Sequence, residues 1–318
     1  MVDKAYIQQN LSNTLQETNF PQLGTLYRGK VRDNYTDNEK NMRFIIATDR
    51  LSAFDRVITT IPFKGELLNQ TSTFWFKKTK NLVPNHLIDI PDPNVAIVHQ
   101  CDTFPIEMVI RNYVTGSAWR AYQRGERVSG IRFPEGLKKN QKLPEPVITP
   151  STKAEKGLHD EPISKEDILE KRLVTKEVYE ILEEYTYKLF EFGQLYSAKN
   201  NLILVDCKYE FGTTKDDEIV VIDEIHTQDS SRFWIKDTYQ ERFAAGEEPD
   251  ILDKEFFRGW LMEQGYMGDG PMPEIVDEVR IELAERYIQS YEILTNELFT
   301  PDKNRKVLER IRKNLKLK

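Results

Sequence analysis

The feature that most constrains this chain is the stretch from Leu202 to Trp234, where charged side chains recur on one face of an otherwise apolar strand. Leu-Ile-Leu-Val-Asp-Cys-Lys-Tyr-Glu-Phe-Gly212 runs into a turn, Thr213 to Asp217, and then into a second apolar run carrying Asp223, so the two read as a hairpin. Side chains alternate along a strand, which puts Asp206, Lys208 and Glu210 on one face and Cys207, Tyr209 and Phe211 on the other. Three charges in a row on such a face are costly to bury without partners. If Glu210 pairs with Val221, Lys208 stands opposite Asp223 and Asp206 opposite Ile225. Glu210 and Asp223 are then diagonal neighbours with Cβ atoms roughly 7 Å apart, a gap that a cation with oxygen ligands bridges. A slip of one residue would send Asp223 to the other face. The alternative is a solvated face with a Lys–carboxylate pair. The flanking runs are too apolar for an exposed ribbon and favour the cation site.

A chain of 318 residues can support two or more cores, and 39% hydrophobic with 31% charged residues suits an ordinary soluble protein. The net charge of −7 argues against nucleic acid as a partner, because no broad basic field is available; local clusters must hold any anionic ligand. Two cysteines, Cys101 and Cys207, cannot build a disulfide framework, and a reducing cytoplasm is the expected setting. The N-terminal stretch lacks the apolar core of a signal peptide, and no run is long enough to span a membrane.

In chain order, a polar helix is expected over Asp3 to Glu17, then strands over Gly24 to Tyr35 and Met42 to Thr48. A helix over Leu67 to Lys78 puts Trp75 and Phe76 in the core. Pro84, Pro91 and Pro93 break an extended connection toward a strand over Val95 to His99. Gly, Pro and Lys mark Gly125 to Pro150 as a long excursion rather than a core element. Helices follow over Ser164 to Lys171, capped by Ser164, and over Thr175 to Lys199. Short helices are expected near Lys236 to Phe243 and Asp253 to Gln264. A linker from Gly268 leads to a long helix opened by Pro273, and the basic tail, Lys303 to Lys318, reads as an exposed helix.

Four further stretches carry chemistry. In Arg28-Gly29-Lys30-Val31-Arg32-Asp33 the glycine lets the backbone approach a ligand, with Lys30 and Arg32 pointing to one face as anion contacts; the competing reading is a guarded bulge at a sheet edge. It is not a P-loop, since the spacer and following helix are missing. Ala47 to Asp55 packs Asp49, Arg50, Ser52 and Asp55 into a strand end, which suits a ligand site or the cap of the next helix. The strand holding Glu107 and Arg111 ends in Thr115-Gly116-Ser117, where a hydroxyl and backbone N–H groups can hold a phosphate, or the chain simply turns into a helix. Between Ser151 and Pro162, Lys153, Lys156 and His159-Asp160 engage an anion or a substrate amine, or form a solvated loop. Together these parts suit a magnesium-nucleotide enzyme with a second, phosphorylated substrate.

Arg28 to Asp33, Ala47 to Asp55, Glu107 through Arg111 to Ser117, Ser151 to Asp160, Leu202 to Phe211 and Ile222 to Trp234 closely resemble SAICAR synthetase, in order along nearly the whole chain. The resemblance implies an α+β, SAICAR synthase-like fold: a kinase-like N-terminal antiparallel lobe packed on an ATP-grasp-like α+β lobe, with C-terminal helices. The expected divisions are 1–112 for the nucleotide-phosphate lobe, 113–267 for the second lobe and 268–318 for the helical segment. It also implies ATP-dependent condensation of L-aspartate with carboxyaminoimidazole ribonucleotide (CAIR), giving SAICAR, ADP and phosphate. ATP and Mg²⁺ would be the cofactors, and the enzyme a monomer or small homo-oligomer. The longer excursion and C-terminal region set the chain apart from bacterial short forms and resemble the eukaryotic single-function enzyme.

Carried over residue by residue, the resemblance puts Arg28, Gly29, Lys30, Val31 and Arg32 at the ATP phosphates and Glu107 at the adenine-holding connection between lobes. It puts Arg111, Thr115, Gly116, Ser117, Asp229, Ser231 and Arg232 at CAIR, and Glu210 and Asp223 on magnesium. Lys208 would reach the substrate carboxylate. Ser52, Lys153, His159 and Asp160 are the candidates for aspartate. Lys30 and Lys208 would stabilise charge during transfer, while Asp206 or His159 takes the amine proton. A kinase-type phosphotransferase on the same nucleotide site is the competing function; the chain has no His-Arg-Asp loop and no Asp-Phe-Gly.

Overall fold

The computed structural model describes residues 2–54, 56–153, 160–252, 255–302 and 306–317. The expected N-terminal helix is short: α1 (Lys4–Gln9), capped by the Asp3 carboxylate on the Tyr6 N–H, after which the chain runs on irregularly with Leu15 buried. The expected strand over Gly24 to Tyr35 is instead a hairpin of β1 (Thr25–Arg28) and β2 (Arg32–Asp37), with Gly29 donating its N–H to the Arg32 carbonyl at 2.8 Å. Lys30 and Arg32 are therefore a turn residue and a strand residue, not two members of one strand face. The chain continues through β3 (Met42–Ala47), the small hairpin of β4 (Arg50–Ala53) and β5 (Arg56–Thr60), and α2 (Lys64–Thr79). The proline-broken connection supplies a strand of its own, β6 (Leu87–Asp92), ahead of β7 (Val95–His99). Pro91 is tolerated there because β6 is an edge strand in the order β1-β2-β3-β7-β6.

The second sheet is built on β8 (Asp102–Val114), followed by α3 (Gly116–Gln123), β9 (Gln141–Ile148), β10 (Ser151–Thr152), α4 (Lys165–Glu170) and α5 (Lys176–Lys199). The excursion is thus partly sheet: β9 pairs with β8 and carries Pro144 and Pro146 on the edge. Then come β11 (Leu202–Thr213), β12 (Ile219–Ile222), β13 (Ser231–Ile235), α6 (Lys236–Ala245), α7 (Glu255–Glu263), α8 (Asp277–Thr295) and α9 (Val307–Asn314). The two sheets are joined through Gln100 and Cys101, whereas residue 112 lies inside β8. β8 and β11 form the centre of this sheet, over a core that includes Trp75, Met108, Leu189, Tyr209 and Phe233.

The C-terminal helices close the molecule onto its N-terminal half. α8 shares a core with Ile7, Leu51 and Leu67. The basic tail is not an exposed helix: Val307 and Ile311 are buried, and Arg310 lies in an ionic cluster with Glu66 (2.8 Å), Asp92 (3.1 Å) and Asn94.

Candidate active site

The β11–β12 register differs by one residue from the expected one. Glu210 pairs with Ile222 and Phe211 with Val221, because residues 214–218 separate the paired Thr213 and Ile219, one more than the expected register leaves; the Thr214 Oγ1 accepts the N–H groups of Asp216 and Glu218, and Asp217 adopts φ +60°. Lys208 is therefore not opposite Asp223, nor Asp206 opposite Ile225. Continued as a strand, this register would carry Asp223 away from Glu210. The strand stops instead at Ile222, and Asp223 at φ +65° bends the chain back, close enough for Glu210 and Lys208 to act on its titration.

The face of β11 is set by its neighbours. Glu107 on β8 lies opposite Glu210, and Arg111 opposite Asp206, with Arg232 of β13 on the other side of Asp206. Like charges facing across a ladder repel, and here Lys208 relieves the repulsion. Its Nζ donates to Glu107 at 2.7 Å and to Glu210 at 2.5 Å. Lys153 holds the other oxygen of Glu210, and Ser151 donates to Glu107 at 3.2 Å. At the far end Asp206 takes Arg111 (3.1 Å) and Arg232, while Arg111 donates to Thr149 (2.9 Å) and reaches Ser117 (3.5 Å). Gly116, at φ +56°, lies under Arg232: a Cβ there would meet its guanidinium at 2.6 Å.

Titration follows from this arrangement. Burial works against both ions of the central pair, but Glu210 and Glu107 hold the Lys208 ammonium well above its ordinary value, and Lys208 and Lys153 hold the Glu210 carboxyl well below its own. Burial pushes Glu107 up, only partly offset by Lys208, and burial likewise raises Asp223 against the pull of Arg32. Cys207, on the reverse face, is pushed up to about 11 by burial. Both cysteines are free.

A cavity of about 630 Å³ opens over this face. It brings together Glu107, Arg111, Ser117, Asp160, Asp206, Lys208, Asp229, Ser231 and Arg232, and the excursion closes one wall with Glu126 to Ser129. Some expected residues do not line the cavity, and others that do are engaged by protein partners. Ser52 sits on the β4–β5 hairpin and does not line the cavity. The Thr115 hydroxyl is buried against Asn140 at 2.8 Å. Glu107 lies within β8, past the connection between sheets, and belongs to the carboxylate group around Lys208. The Asp229 side chain turns toward Lys64 (2.9 Å) and Tyr287 (2.6 Å). His159 and Lys156 lie outside the described residues.

In the first sheet, Arg28 is taken by Glu17 (2.8 Å), Asp33 (3.3 Å) and the Thr18 carbonyl (2.8 Å), away from the cavity. The Gly29–Lys30–Val31 turn is held from below by Arg50, which donates to the carbonyls of Lys30 (2.9 Å) and Gly29 (3.0 Å). Arg32 crosses between sheets to Asp223 (2.6 Å) and Glu224 (2.5 Å), so the turn stands beside the Asp223 bend. Of the two readings of Ala47 to Asp55, Asp49 takes the capping one: it accepts from Gly65 N–H at 2.9 Å at the start of α2. Glu224, Lys64, Thr149 and Tyr287 were not singled out from sequence. Glu224 adjoins Asp223, but nothing local marks a lysine as fully buried.

Residues 25–273 match the family model for SAICAR synthetase. The chain belongs to the SAICAR synthetase family. It is 46% identical over 308 residues to a putative phosphoribosylaminoimidazole-succinocarboxamide synthase 2 of Mesorhizobium japonicum, covering 95% of this chain and 98% of that one. It is 48% identical to the synthase of Bacteroides fragilis over 95% and 97% of the two chains. A SAICAR synthase from Saccharomyces cerevisiae complexed with SAICAR superposes with a TM-score of 0.78 at 34% identity, over 90% of this chain and 100% of that one. A SAICAR synthetase in complex with ADP gives 0.67 at 26%, over 87% and 100%. The longer form expected to be eukaryotic in type is therefore shared by bacterial members of the family. No helix among the described residues is long and apolar enough to cross a membrane.

Proposed function

We propose that this member of the SAICAR synthetase family condenses L-aspartate with CAIR at the expense of ATP, releasing SAICAR, ADP and phosphate. The observation that carries the reading is one sheet face on which Lys208 lies between Glu107 and Glu210 while Arg111 and Arg232 flank Asp206, with Glu107, Arg111, Asp206, Lys208 and Arg232 lining one cavity. An arginine pair at one end of the face and the Lys208 ammonium at the other suit a substrate that carries both a phosphate and a carboxylate.

A carboxylate resists attack by an amine. Transfer of the ATP γ-phosphoryl group to a carboxylate oxygen of CAIR gives an acyl phosphate; the aspartate amine attacks its carbon, phosphate leaves with the C–O electron pair, and the amine loses a proton. Arg111, Ser117 and Arg232 hold the CAIR phosphate, and Lys208 faces its carboxylate. Lys30, on a turn beside the Asp223 bend, faces the ATP phosphates and stabilises charge during transfer.

Asp206 accepts from two guanidiniums, which makes it the anchor of the arginine pair rather than a base. Glu107 suits the proton better, since burial raises its affinity for one. Asp160, at the cavity rim, faces the aspartate ammonium.

Glu210 and Asp223 fit magnesium: both offer hard oxygen donors, and the Glu210 charge is felt at Asp223. Among the described residues no cluster of three His, Cys, Asp or Glu is arranged to hold a metal. An ion held by these two carboxylates would be completed by nucleotide phosphates, where it would neutralise phosphoryl oxygens. A coupled assay of ADP release with CAIR, with and without L-aspartate, tests the reading: dependence on both supports it, and indifference to aspartate overturns it.

A further inference from the structure

We propose that Tyr287 and Lys64 are positioning residues of the cavity, acting through Asp229 on the turn that presents Ser231 and Arg232. The proposal rests on the ligase reading for its substrate, and on geometry for the rest. Tyr287 lies in α8, beyond the segment that the family model matches. Its hydroxyl donates to Asp229 Oδ1 at 2.6 Å, and the Lys64 ammonium donates to Oδ2 at 2.9 Å. Both donors are buried, and the Lys64 ammonium lies 5.6 Å from the centre of the Tyr287 ring.

The turn between β12 and β13 is closed on itself. Thr227 Oγ1 donates to Glu224 at 2.7 Å and accepts the N–H groups of Asp229 and Ser230 at 3.2 Å, while the Ser231 N–H donates to the Thr227 carbonyl at 2.9 Å. Such a turn moves as a unit. Contacts that hold the unit include the pairing of β13 with β11, the Lys208 N–H donating to the Ser230 carbonyl at 3.0 Å, Arg32 on Glu224, and the Asp229 carboxylate locked between α2 and α8. Arg232, three residues on, must lie over Gly116 and beside Asp206 to meet an anion. A hydrogen bond to a charged group typically carries a factor of about ten or more in the equilibrium it controls. Loss of the Tyr287 hydroxyl therefore shows as weaker binding of the phosphorylated substrate, not as loss of chemistry.

The test is a double-mutant cycle on the full chain, with Y287F, which keeps the ring over Lys64, and D229N. The expected result for Y287F is a rise of about tenfold in KM for CAIR, with kcat within about twofold and the melting temperature little changed. In the D229N background the same change adds no further rise. The proposal is overturned by an unchanged KM in Y287F, by a full additional rise in Y287F/D229N, or by a lowered melting temperature with KM unmoved. A wild-type enzyme that forms no SAICAR sinks the ligase reading instead, so the two failures are distinguishable.

Discussion

Arg32, on the second strand of the first sheet, reaches Asp223 at the end of the β12 strand with its Nη1 2.6 Å from the carboxylate, and its Nη2 holds Glu224 at 2.5 Å. One guanidinium thus ties the two sheets at the point where the proposed magnesium ligands and the Gly29–Val31 turn meet. Burial favours the neutral form of Arg32, but Asp223 and Glu224 outweigh it and hold the guanidinium firmly charged. In Arg32→Gln these two carboxylates lose their shared cation. Breaking such a partly buried pair is expected to cost about 3 kcal/mol, read as a lowered urea midpoint with unchanged slope. An unmoved midpoint would show that the link contributes nothing.

Glu210→Gln keeps the shape of the site and removes one charge facing Lys208 and Lys153. Turnover is expected to fall about a hundredfold, the scale of losing one electrostatic stabiliser, and the magnesium dependence of the residual rate to shift to higher concentration. Full turnover at the wild-type magnesium midpoint would remove Glu210 from the metal site.

Two buried histidines set the acid limit of the fold. Burial, reinforced by Arg43 and His99, pushes His86 down to about 3, and burial does the same to His226, whose ring meets the Tyr209 hydroxyl at 2.5 Å. A depressed folded-state value means that the unfolded chain binds the proton more tightly. The stability from neutral histidine is therefore complete above about 6.5 and lost as pH falls toward 3. Each histidine loses about 2 kcal/mol between pH 7 and pH 5. In His86→Gln the drop in denaturant stability over that interval should shrink by about half of the histidine share. An equal drop in the variant would place its origin elsewhere.

Much of the site was legible because strand alternation is strict. Asp206, Lys208 and Glu210 had to share a face once β11 was a strand, and they do. Register was not legible, because it hinges on how many residues a turn consumes; the extra residue taken by the Thr214 turn moved every pair by one. Asp223 returned to the site only through a left-handed bend that an aspartate tolerates and a sequence does not advertise. The buried cations were least visible. Arg310 and Lys64 look like surface residues until the carboxylates that neutralise them, Asp92 and Glu66 for one and Asp229 for the other, arrive from distant segments.

The most direct test of the account is ADP release by the purified chain with magnesium and ATP, measured with CAIR alone, L-aspartate alone and both together. ADP is expected only with both, in step with SAICAR. ADP formed at the same rate without aspartate, with a phosphorylated product accumulating, would contradict it.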